Sequence, residues 1–158
     1  MKYNSIMHIA FYTDKFDEMI DFYTKKLGGT LKTIVRYDVY ASRDDRPTMQ
    51  KIAKEDPNRI FNAYIELAPL QFIELFPAYE GQKDFTEFNE HKGYSHFALI
   101  VDDIYEARKE LEANGVVFDT QISKGPSETY QMWTRDPDGN RFEIMQFTPN
   151  SIQVKGNV

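Results

Sequence analysis

The chain has 158 residues, of which 41% are hydrophobic and 15% aromatic, with a formal net charge of −6. This length suits one ordinary globular domain with a substantial core, and the composition is too apolar for disorder. No apolar run approaches the ~18 residues of a membrane span. The acidic balance argues against a nucleic-acid partner. With no cysteine, disulfides, thiolate ligands and a cysteine nucleophile are excluded. An N-terminus that enters a strand within a few residues leaves no room for a signal peptide, so the expected compartment is the cytoplasm.

Ser5–Tyr12 alternates as a half-buried strand, with Ile6, His8, Ala10 and Tyr12 on one face. Asp14 is the expected N-cap of a helix carrying Phe16, Met19, Ile20, Tyr23 and Leu27, and Gly28-Gly29 ends it. Strands are expected at about Leu31–Tyr40, Phe61–Leu67 and Gln71–Phe76, with Pro69 in the last turn. The pattern then repeats. Tyr94–Val101 reads as a strand, and Asp102 or Asp103 caps a helix with Ile104, Ala107, Arg108 and Leu111 that stops at Asn114-Gly115. Val116–Phe118, Tyr130–Thr134 and Arg141–Phe147 supply three more strands, the last two joined by the turn Asp136-Pro137-Asp138-Gly139-Asn140. The expected architecture is thus α+β: two tandem β-α-β-β-β modules, at about residues 4–79 and 93–148, within a single domain spanning 1–158.

One stretch breaks the repeat. Ala41–Ile60 is a charged, helix-compatible insertion without a counterpart in the second module, read as a solvated excursion or as a basic loop over the substrate. Pro77–Lys92 reads as the linker, with His91 solvent-exposed, and the tail after Thr148 as loosely attached.

Each module opens near a histidine and closes on an apolar strand interrupted by a glutamate: His8 with Glu74, and His96 with Glu143. Strand parity sets His8 opposite the apolar Met7, Ile9 and Phe11. It groups Glu74 with Phe72 and Phe76, His96 with Tyr94 and Ala98, and Glu143 with Arg141 and Met145. A carboxylate among strand apolars is costly unless paired, hydrogen-bonded or metal-bound. Two imidazoles and two carboxylates at matching positions make a mixed nitrogen and oxygen site for a divalent ion, with positions left for substrate oxygens. A glutamate that detaches becomes a general base. An alternative use of the same surface is small-molecule binding by Tyr12, Phe72, Phe76, Tyr94 and Trp133 without chemistry.

These motifs resemble the vicinal oxygen chelate superfamily almost end to end. The resemblance is carried by the His8 strand, Asp21-Phe22-Tyr23, Leu27-Gly28, Ile73-Glu74-Leu75, Gly93-Tyr94-Ser95-His96-Phe97-Ala98 and Asp136-Pro137-Asp138-Gly139-Asn140 leading to Glu143. It implies a curved, half-barrel mixed sheet around a metal, with helices outside, and a homodimer with two sites. The order His8, Glu74, His96, Glu143 is similar to glyoxalase I, in which all four bind the metal, expected here to be nickel or zinc, with cobalt or manganese also accepted. The implied activity is that of a lactoylglutathione lyase-like enzyme of methylglyoxal detoxification. It converts the hemithioacetal of a 2-oxoaldehyde and a thiol to a 2-hydroxyacyl thioester through an enediolate, with Glu143 or Glu74 moving the proton. Alternatives on the same fold are a binding or resistance protein, an acyl-CoA epimerase and a dioxygenase. One departure concerns the thiol: Tyr12 and Ala78 stand where glutathione-dependent bacterial members carry arginine and asparagine, and Arg36, Arg43 and Lys124-Gly125 are the candidates to compensate.

Overall fold

The computed structural model describes residues 4–83, 90 and 92–156. The chain divides into two compact units, Met1–Gln82 and Lys83–Val158, each built on a four-stranded mixed sheet. The first unit runs β1 (His8–Thr13), α1 (Phe16–Asp21), β2 (Thr30–Arg36), α2 (Pro47–Glu55), β3 (Ile60–Ala68) and β4 (Gln71–Pro77). The second runs β5 (Phe97–Ile100), α3 (Ile104–Ala113), β6 (Ser123–Lys124), β7 (Tyr130–Arg135), β8 (Arg141–Gln146) and a short α4 (Ile152–Lys155). Strand order is β1-β4-β3-β2 in one sheet and β5-β8-β7-β6 in the other. In both, the first strand lies parallel to the last and the remaining pairings are antiparallel. The tandem β-α-β-β-β arrangement is therefore present.

Strand parity decides which side chains meet the helix. In the first unit Phe11, Ala63, Ile65, Ile73 and Leu75 are buried, together with Met19, Phe22 and Tyr23 from the helical segment. In the second, Phe97, Met132, Phe142 and Ile144 are buried with Ile104 of α3, and the Phe97 and Phe142 rings stack with centroids 4.9 Å apart. The opposite face of each sheet carries His8, Ala10 and Tyr12 beside Glu74, and Ala98 beside Glu143. The Pro69-Leu70 turn sets the β3–β4 register: Leu70 takes φ +60° and donates its N–H to Glu66 Oε1 at 3.0 Å. The Asp136–Asn140 turn does the same for β7–β8. Buried Asp136 accepts from the backbone N–H of Asp138 and Asn140 and from Asn140 Nδ2, and Gly139 takes φ +85°.

The insertion after Tyr40 folds as α2, with Pro47 in its first turn and only Ala53 buried, so its charged residues lie in solvent. Several boundaries differ from expectation. The strand expected through Tyr40 ends at Arg36, and Tyr37–Tyr40 form a 3₁₀ turn, packing Tyr37 and Tyr40 against Phe61. Asp14 does not cap α1; Lys15 occupies the N-cap position with no side-chain bond, and the helix passes into a π turn over Phe22–Lys26. Asp103, by contrast, caps α3: its carboxylate accepts from the backbone N–H groups of Tyr105 and Glu106. Val116–Phe118 forms no strand: only Phe118 bridges, to Thr134, and the hydrogen-bonded strand lies later at Ser123–Lys124. The tail is not loose. Ser151 is fully buried, its Oγ accepts from Thr129 Oγ1 at 2.9 Å and from Thr148 N at 2.8 Å, and Ile152 N–H donates to Ser127 O. The expectation for His91 falls outside the described residues. No helix among the described residues is long and apolar enough to cross a membrane.

Candidate metal-binding pairs

On the face of β1 and β4 away from α1, His8 Nε2 lies 3.4 Å from Glu74 Oε2. On the corresponding face of β5 and β8, His96 Nε2 lies 3.3 Å from Glu143 Oε2. Both glutamates are buried, while both imidazoles keep about a third or more of their side chain in solvent. The register is the same in each unit: Ala10 pairs with Glu74, and Ala98 with Glu143. Thus each unit brings together one of the histidines and one of the glutamates singled out from the sequence. Among the described residues no group of three or more metal-ligating side chains converges.

The surroundings of the two pairs differ. In the first unit Tyr64 pairs with Glu74 across the β3–β4 hairpin, and its ring meets His8 edge-on at 6.2 Å. Burial, and then the adjacent Glu74 carboxylate, pushes the Tyr64 phenol up to about 12. Asn62, two residues earlier on the same face, donates Nδ2–H to Glu74 Oε1 at 2.6 Å. Its Oδ1 is buried and accepts no hydrogen bond. In the second unit Trp133 pairs with Glu143 and its ring stands 4.7 Å from His96, while the Arg141 guanidinium lies 4.6 Å over the same indole. Ser95 Oγ is 3.1 Å from His96 Nδ1. A hydroxyl that accepts from Nδ1–H leaves Nε2 as the lone-pair nitrogen facing Glu143.

The donor set fits a divalent ion. An imidazole nitrogen and a carboxylate oxygen bound to one ion at about 2.1 Å stand roughly 3.0–3.4 Å apart, depending on geometry. The observed 3.3 and 3.4 Å match that spacing, and are long for a hydrogen bond to an ionised carboxylate, usually about 2.7–2.9 Å. One imidazole beside one carboxylate also suits a borderline metal better than calcium or magnesium, which prefer oxygen alone.

The groups proposed to replace glutathione-holding residues are engaged within their own units. Arg36 Nη1 donates to Asn58 O, Arg43 makes a two-pronged pair with Asp45, and Lys124 stands 3.5 Å from Glu128. Tyr12 stacks on Phe76 at 5.2 Å and meets Tyr79 edge-on at 5.8 Å. Sequence reasoning missed Asn62, Tyr64 and Ser95 as neighbours of the pairs. An asparagine between Phe61 and Ala63 in a strand was the available signal, since strands are depleted in asparagine.

Residues 5–144 match the model of the Glyoxalase/Bleomycin resistance protein/Dioxygenase superfamily, and the chain belongs to that family. Among solved structures it resembles a glyoxalase family protein from Enterococcus faecalis, at 21% identity and a TM-score of 0.68, over 92% of this chain and 99% of that one. A lactoylglutathione lyase from Agrobacterium tumefaciens is similar at 20% identity and a TM-score of 0.59, over 92% and 96%. A superfamily member from Sphaerobacter thermophilus aligns at 22% identity and a TM-score of 0.61, over 92% and 98%. At these identities the likeness is one of fold.

Proposed function

We propose that the protein is a divalent-metal-dependent, glyoxalase I-like lyase in which His8, Glu74, His96 and Glu143 are the metal ligands, acting as a cytoplasmic homodimer on a small-molecule substrate. The observation that carries this reading is the imidazole–carboxylate pair repeated in both units at ligand spacing. Bound by these residues, a divalent ion such as nickel or zinc would supply Lewis-acid polarisation of adjacent substrate oxygens. The protein's part is then proton transfer. Glu74 has Oε1 tied to Asn62, whereas among the described residues Glu143 pairs only with His96. Glu143 is therefore the better base: it takes the proton from the sulfur-bearing carbon of a hemithioacetal and returns it to the neighbouring carbonyl carbon, while the hydroxyl proton of the first carbon passes to the oxygen of the second, yielding a 2-hydroxyacyl thioester. Tyr64 meets His8 and Phe72 edge-on, and Trp133 meets His96 edge-on, so aromatic rings flank both imidazoles.

The test is elemental analysis followed by methylglyoxal turnover, with and without glutathione, on protein loaded with nickel or zinc. Stoichiometric metal and thiol-dependent turnover are expected. His96→Ala should lower nickel affinity by more than the ~10–100-fold typical of losing an outer-shell partner, and Glu143→Gln should abolish turnover. Normal activity in both variants overturns the assignment. The exposed Tyr12, stacked on Phe76, favours a second reading, a binding protein for a flat apolar molecule; protein that takes up no metal under any loading condition would bring it forward.

A further inference from the structure

The two pairs occupy equivalent places, yet among the described residues a side-chain amide clamps only one of the two carboxylates. Counting from the glutamates, Tyr64 corresponds to Trp133 and Asn62 to Gln131. Asn62 is 4% exposed and holds Glu74 Oε1 at 2.6 Å. The side-chain amide of Gln131 instead lies beside Gly125. The carboxylate fixes the asparagine's orientation, because only the NH₂ end can donate to it. Oδ1 is thereby turned away from Glu74, buried and without a partner. A buried amide whose donor end meets a carboxylate at 2.6 Å restricts where that carboxylate can point.

We propose that Asn62 is a positioning residue of the first unit: it locks Glu74 so that Oε2 faces His8, with no counterpart for Glu143 among the described residues. The proposal rests on the metal-ligand reading above. A ligand whose orientation is fixed in advance loses less freedom on binding, and outer partners of this kind typically contribute ten- to hundredfold to metal affinity.

Isothermal titration with nickel chloride compares the wild-type chain with Asn62→Leu and Gln131→Leu. Asn62→Leu is expected to lose ten- to hundredfold in affinity and to shift the visible spectrum of the cobalt-loaded protein. Gln131→Leu should leave both unchanged. Wild-type affinity in Asn62→Leu, or an equal loss in the two variants, overturns the proposal. Should Asn62→Leu not fold, Asn62→Ser carries the same expectation with a smaller change in shape. If the wild-type chain binds no nickel, the metal reading fails, and the clamp is judged on metal-free protein. There, the melting-temperature shifts of Asn62→Leu and Glu74→Gln should be non-additive in the double variant. Additive shifts overturn the proposal.

Discussion

Tyr64, beside the first pair, and the half-exposed Tyr94 carry distinct electrostatic signatures. Burial and Glu74 push Tyr64 up to about 12, and burial with Asp136 pushes Tyr94 up to about 12, against an ordinary value of 10.0. A raised folded-state value means that the native state holds its proton more tightly than the unfolded chain does. The stabilisation is complete below pH 10, and it is lost as pH rises through 10 toward 12. In metal-free protein, ultraviolet difference titration should find Tyr64 and Tyr94 ionising above the ordinary 10.0. Tyr64→Phe should remove one late step and flatten the alkaline decline of the urea midpoint. A Tyr64→Phe titration curve identical to wild type would refute this account of the phenol.

At the level of elements, the junction between α1 and β2 depends on two glycines for different reasons. Gly28 takes φ +77° with open space around the missing side chain. Gly29 needs its hydrogen: a Cβ there would lie 2.7 Å from the Tyr23 carbonyl oxygen and 2.8 Å from Leu67 Cδ2. Gly29→Ala is therefore an overpacking change, expected to cost about 1–3 kcal/mol and to lower the urea midpoint without altering strand content. An unchanged midpoint would mean that the backbone yields there at no cost. Elements of this kind were legible in the sequence wherever a local rule was strong. Alternation located β1, β4 and β8, the Asp102-Asp103 capping pair located α3, and proline and glycine located the β3–β4 and β7–β8 turns. The misplaced elements are those where tertiary packing overrode propensity. Apolar Val116–Phe118 promised a strand and Val116 and Val117 do alternate between core and solvent, but Phe118 alone finds a partner, Thr134, and the hydrogen-bonded edge of β7 is taken by Ser123–Lys124. The tail read as polar and loose because nothing local reveals that Ser151 bonds back to Thr129. Of the site, the histidines and glutamates were visible through repetition. Asn62 was not, since its role depends on a cross-strand register shifted by the irregularity between Glu66 and Ala68.

Across the whole molecule, the repeat keeps its chemistry while its lengths diverge. His8 and His96 are 88 positions apart, but Glu74 and Glu143 only 69, and the difference is taken up by the α2 insertion between β2 and β3. Because β3 and β4 are registered by their own two-residue turn, that extra length never reaches the pair. The second unit holds a different kind of singularity: Trp133 is the sole tryptophan of the 158 residues, and its ring touches one of the two imidazoles. All indole emission of the protein thus originates 4.7 Å from His96, making the chain its own optical probe. Paramagnetic nickel or cobalt arriving at His96 should darken that emission, diamagnetic zinc should leave most of it, and Trp133→Phe should be silent to all three. Occupancy could then be followed by light alone, before any substrate is known.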